Sequence, residues 1–103
     1  QLPQRVAVII SGDLAHTHDP KGPYGYSKYA QPFDDACGRW IEKMDRKELL
    51  STVEFLNEAK SCGFTGFVML QGMLEQAKWK SQLLANYHPE YYGMAIGIFL
   101  RKE

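Results

Sequence analysis

The run Val6-Ala7-Val8-Ile9-Ile10 constrains the fold more than any other stretch. It is short, rich in β-branched residues and stopped by Ser11-Gly12, the pattern of a buried strand. An element apolar along its whole length needs cover from other elements. An extended loop follows, from about Ser11 to Ala30, where Asp-Pro, Gly-Pro and Tyr-Gly-Tyr disfavour regular structure. The cover must therefore come from further along the chain.

Three helical signals lie there. Pro32 suits a first helical turn, and Phe33, Cys37, Trp40, Ile41 and Met44 recur at helical spacing. Asp45 with Glu48 makes a capping-box-like start for a second helix with the face Leu49, Leu50, Val53, Leu56. After the break at Cys62-Gly63, Phe64, Phe67, Val68, Met69, Leu70, Met73 and Leu74 occupy more than one face, which predicts a buried third helix. Gly66 and Gly72 each weaken a helix by roughly 1 kcal/mol relative to Ala, so they point to close packing. Ser81 to Tyr87 and Tyr92 to Leu100 read as strands. In the second, Met94, Ile96, Ile98 and Leu100 alternate with Gly93, Ala95, Gly97 and Phe99, and the small residues imply a close neighbour. The order β-loop-ααα-ββ predicts an α/β fold: a small mixed sheet of about three strands packed with helices, in one domain over residues 1–103.

Twelve basic and twelve acidic side chains cancel, so neither nucleic acid nor an anionic membrane surface is an expected partner. No apolar run approaches the roughly 20 residues that span a bilayer. The N-terminus has no initiator Met and no signal-peptide pattern, which fits a chain cut from something longer. Two cysteines are too few for a disulfide scaffold and read as reduced thiols in the cytoplasm.

The candidate chemistry follows the first strand. Asp13, His16 and His18 sit just past its C-terminal end, where ligands gather in open α/β sheets. An imidazole there is a candidate general acid or base, because it titrates near neutral pH. Asp13 either orients an imidazole or caps the following turn. The alternative is a polar loop with hydrogen-bonded histidines. His16 and His18, two apart in an extended segment, point the same way and are candidates to share a metal. Cys62 is a candidate ligand or reactive thiol before a helix N-terminus, or else buried packing. Cys37 belongs to the core. Tyr24, Tyr26 and Tyr29 either wall a small aromatic ligand or pin the loop. Glu54 and Glu58 form a solvated helix face. The segment Tyr87 to Tyr92 is too long for a tight hairpin and brings His88 as another polar group near the site.

The motifs "SGDLAH", "GPYGY", "PFDDA", "SCGFTGFVMLQGML" and "YYGMAIGIF" occur in an order that resembles the C-terminal part of the class III extradiol ring-cleavage dioxygenases, the LigB-like superfamily. The resemblance covers about residues 6–100 and is nearest the Memo-like branch. It implies the C-terminal fragment of a LigB-like catalytic domain. It also implies a non-haem Fe(II) enzyme in which two His and one Glu hold the metal, and a catechol-type substrate is opened with O2. His16 takes the place of the second-sphere acid/base, with Asp13 as its orienting neighbour. Tyr24, Tyr26 and His18 are the expected substrate-binding residues on their own chemistry, and His18 matches no role in the family. The resemblance places the metal-binding histidines in an N-terminal half, which is the expected partner together with a small aromatic substrate and a second copy of the chain. Cys62 stands where Memo-like relatives carry a pocket cysteine. A thiolate there favours a softer site, with copper or another divalent metal, and a metal- or ligand-binding protein without oxygenase activity is the alternative function.

Overall fold

The computed structural model describes residues 5–102. Residues 1–4, part of the segment read above for signal peptides, and Glu103 lie outside it. Three helical stretches and a hairpin follow a long N-terminal loop, in the expected order. The first stretch, α1 (Ala30–Lys43), buries Phe33, Cys37, Trp40 and Ile41 on one face, with Pro32 in its first turn. Met44 closes it in the left-handed conformation. The second stretch is composite. α2 (Arg46–Ser51) is capped by the Asp45 side chain, which accepts from the Lys47 N–H. A 3₁₀ turn (Thr52–Phe55) and the single turn α3 (Leu56–Ala59) continue it. Glu48 does not complete a capping box; its carboxylate takes the Arg39 side chain instead.

The third stretch, α4 (Phe64–Leu74), is less buried than its composition predicts. Only Gln71 and Leu74 are buried, while Val68, Met69 and Met73 are exposed. Gln71 is held by the Trp40 indole N–H at 2.8 Å. Gly66 packs closely, since a Cβ there would lie 2.7 Å from the Ile10 side chain, whereas Gly72 faces open space.

Strands β1 (Trp79–Tyr87) and β2 (Met94–Arg101) pair antiparallel, from Trp79↔Arg101 to Tyr87↔Met94. Between Leu83 and Ala85 the register slips by one residue, a β-bulge at Leu84. Lys80, Gln82 and Leu84 face outward before it; after it Tyr87 faces outward and Asn86 turns in. The inner face, with Leu83, Ala95 and Phe99, packs on Trp40 and Ile41 of α1. Gly97 lets Ile41 approach, as the small residues of β2 imply.

The expected first strand is the main departure. Val6 to Ile10 forms no strand among the described residues, and Ile9 is 86% exposed. Its backbone has no ladder partner, so a β-rich composition alone does not make it a strand. The segment instead borders a groove of about 950 Å³, together with Met73, Ile98 and Leu100. Met94, Ile96, Ile98 and Leu100, with Leu84 and Tyr87, leave the outer sheet face apolar and exposed. The α/β class stands, with two strands among the described residues in place of three. No helix among the described residues is long and apolar enough to cross a membrane.

Candidate functional site

The loop before α1 is irregular but firmly placed. Leu14, Ala15 and Thr17 are buried. The Leu14 N–H donates to the Gly93 carbonyl at 2.9 Å, and the Gly93 N–H donates to the Ala15 carbonyl at 2.8 Å. On the other side, the His16 N–H reaches the Ala59 carbonyl at 2.8 Å, and the Thr17 hydroxyl donates to the Glu58 carbonyl at 3.0 Å. The start of α4 meets the same loop. Gly63 and Ser61 both donate to the Asp13 carbonyl, and a Cβ on Gly12 would lie 2.6 Å from the Gly63 Cα. Two facing glycines permit this approach, which delivers Cys62.

Asp13, His16 and Cys62 come together as a result. Asp13 Oδ2 lies 3.1 Å from His16 Nε2. The Asp13 N–H donates to Cys62 Sγ at 3.1 Å. One ligand atom from each of the three falls within 4.8 Å of the others, the only such trio among the described residues. The His16 side chain is 13% exposed. Tyr24 stacks on its ring at 5.3 Å and 17°, and Tyr91 tilts against it at 5.9 Å. Tyr26, by contrast, is exposed and joins neither ring.

His18 does not join His16. Its Nε2 lies 2.6 Å from Asp34 Oδ2, and its ring stacks on His88 at 4.1 Å and 7°. The shared-metal reading of the two histidines therefore fails: a rigid backbone held from both sides sends them to different partners. Asp34 also accepts the Ala15 N–H on Oδ1 at 2.9 Å. Burial raises its carboxyl above the ordinary value, opposed in part by that N–H and by His18. Asp34 and Tyr91 are the residues that reading the sequence missed. Asp34 stands three before Cys37 and seven before Ile41, so a carboxylate on the apolar face of α1 was the available signal. Cys37 is buried beneath the same helix, and burial, helped by Asp34, pushes its thiol up.

The arrangement suits proton transfer. With Asp13 accepting from Nε2–H, His16 keeps Nδ1 free as a base, and the carboxylate stabilises the imidazolium that results. Neither the groove nor the cavity of about 80 Å³ beside Trp40 includes Asp13, His16 or Cys62 in its lining. The groove has Arg5, Gln76 and Arg101 among its mostly apolar walls, the smaller cavity is lined mainly by apolar side chains, and neither lining contains a carboxylate or an imidazole.

A family model described as the catalytic LigB subunit of aromatic ring-opening dioxygenase matches residues 1–97. Protein CA_C1420 of Clostridium acetobutylicum is 27% identical over 99 residues, which are 95% of this chain and 21% of that protein. The chain thus spans about a fifth of the length of this curated relative.

Proposed function

Because the chain belongs to the LigB family of aromatic ring-opening dioxygenase catalytic subunits, we propose that it supplies the acid/base part of an extradiol ring-cleaving site, with His16 as the proton-transfer residue. The observation that carries this reading is the Asp13–His16 pair at 3.1 Å, partly buried, with the His16 ring against Tyr24 and Tyr91. A catechol hydroxyl brought to His16 Nδ1 gives up its proton there. Asp13 holds the charged ring in place, and the two tyrosines orient the flat substrate against it. The reaction belongs to the cytoplasm, where both free thiols stay reduced.

LigB-family dioxygenases generally use non-haem Fe(II), which supplies the redox chemistry when bound. The residues here do not fit that ion by themselves. A carboxylate, an imidazole and a thiol differ from the two imidazoles and one carboxylate that suit Fe(II). The iron ligands would therefore lie in an N-terminal half, as the resemblance implies. Full-length protein with Fe(II), O2 and a panel of catechols tests the reading by oxygen uptake and ring-fission absorbance. His16→Ala should lower kcat by about 10²–10⁴. Absence of uptake with every catechol overturns it.

The exposed Cys62 beside Asp13 and His16 favours a second reading, a Memo-like protein that binds copper or another soft metal without oxygenase activity. Cys62→Ser should then release the metal on dialysis; unchanged retention removes Cys62 from the site.

A further inference from the structure

We propose that Asp34 is the positioning residue of the Asp13–His16 pair: its carboxylate, braced by His18, fixes the backbone from which both side chains project. The catalytic consequence rests on the reading of His16 above; the geometry does not.

Asp34 lies on α1 and is 2% exposed. Both carboxylate oxygens are committed, Oδ1 to the Ala15 N–H and Oδ2 to His18 Nε2. Ala15 is the residue before His16 and two after Asp13. His18 follows His16 by two. The one carboxylate therefore grips the loop on both sides of His16. Asp34 is itself gripped: its carbonyl accepts from Asn86 Nδ2 at 3.0 Å, and its carboxylate lies against Gly93 so closely that a Cβ there would fall 1.8 Å from Oδ2. Gly93 in turn pairs with Leu14 and Ala15. His88 covers the far face of His18 by stacking. Helix, hairpin and loop thus meet at one buried side chain.

Stability alone does not call for this arrangement. A buried carboxylate–imidazole pair loses hydration on both partners, and apolar residues of similar volume commonly hold a fold as well or better. What the polar pair adds is direction. It fixes where the Ala15 N–H points, and so the turn from Asp13 to His16, which must set a 3.1 Å contact. A displacement of about 1 Å at such a contact costs up to about 100-fold in rate.

The test uses full-length protein labelled with ¹⁵N at histidine and along the backbone. In Asp34→Ala the His16 imidazole resonances should move, and exchange of the Ala15 amide should rise by about tenfold or more while the β1–β2 ladder amides keep their rates. Asp34→Asn, which retains an acceptor for Ala15, should restore most of both. Unchanged His16 resonances in a folded Asp34→Ala protein overturn the proposal. So does a uniform rise in exchange that Asn fails to rescue, since that marks a purely structural role. If Asp34→Ala does not fold, His18→Gln decides: His16 resonances should shift, and their constancy overturns the proposal. In turnover, Asp34→Ala should lower kcat by about 10–100-fold with KM within about twofold. A wild-type protein that turns over no catechol defeats the catalytic reading, and the spectra still decide the positioning.

Discussion

Gly93→Ala tests the packing at the centre of the site. The new methyl group would fall 1.8 Å from Asp34 Oδ2 and 2.7 Å from its Cγ. Gly93 is not among the residues with positive φ, so alanine meets no backbone penalty there. The whole cost comes from the clash. Overpacking costs about 1–3 kcal/mol. Pushing the carboxylate aside also weakens its charge-assisted bonds to Ala15 and His18, worth about 1.5–3 kcal/mol each. Allowing for relaxation, the loss is about 3–5 kcal/mol, a large part of the stability of a small domain. Urea unfolding followed by tryptophan fluorescence reads it: with a slope of about 1.5 kcal/mol/M, the midpoint falls by about 2–3 M. The decisive arm is the same substitution in an Asp34→Ser background. With no carboxylate to displace, Gly93→Ala should be neutral there, or stabilising by up to about 1 kcal/mol through reduced chain entropy. Equal costs in the two backgrounds, with a coupling below about 0.5 kcal/mol, refute the reasoning.

The raised Asp34 carboxyl has a pH signature. The folded state keeps its proton above the ordinary 3.8 and the unfolded state does not, so the wild type should lose stability relative to Asp34→Asn as pH rises through the range above that value. Urea midpoints across that range check this, and the opposite slope shows that His18 outweighs burial. The two thiols should differ: Cys62 reacts with a disulfide reagent in the native protein, and Cys37 only after unfolding. Two fast thiols would contradict the burial of Cys37. On the outer sheet face, Ile96 and Ile98 are 54% and 43% exposed, so Ile96→Thr and Ile98→Thr should each cost less than about 1 kcal/mol. A combined cost above about 3 kcal/mol, from the same unfolding curves, would show that another surface covers this face in solution.

Much of this architecture is legible from spacing. α1 announces itself through Phe33, Cys37, Trp40 and Ile41, and the small residues at and before β2 correctly imply a close neighbour, which proves to be Ile41 against Gly97 and Asp34 against Gly93. Other features depend on partners that no local pattern names. Val6 to Ile10 carries strand composition, but pairing requires a second backbone beside it. α4 is apolar all round and still exposes Met69, because burial is decided by what lies opposite a helix. At the site, Asp13 and His16 are three apart and meet. The parity argument for His18 fails, because hydrogen bonds from residues 58–59 on one side and 91–93 on the other twist the loop. Asp34 lies in "PFDDA", two adjacent carboxylates that composition alone does not tell apart. Only its alignment with Cys37 and Ile41 shows that one of those carboxylates points inward.

The extra residue at Leu84 acts as a change of phase. A strand that alternates without interruption offers one side to its helix from end to end, and an asparagine at position 86 would then face solvent. The slip inverts odd and even for the remainder of β1, so a single ribbon first supplies Leu83 to the oily layer and then Asn86 to the carbonyl of Asp34. Pairing Leu84 in register, with no slip, would turn Asn86 away from α1; deleting Leu84 would give a regular ladder in which Leu83 and Asn86 both still face inward. The alignment of His16 is in this sense counted out one residue at a time along a strand that never touches it.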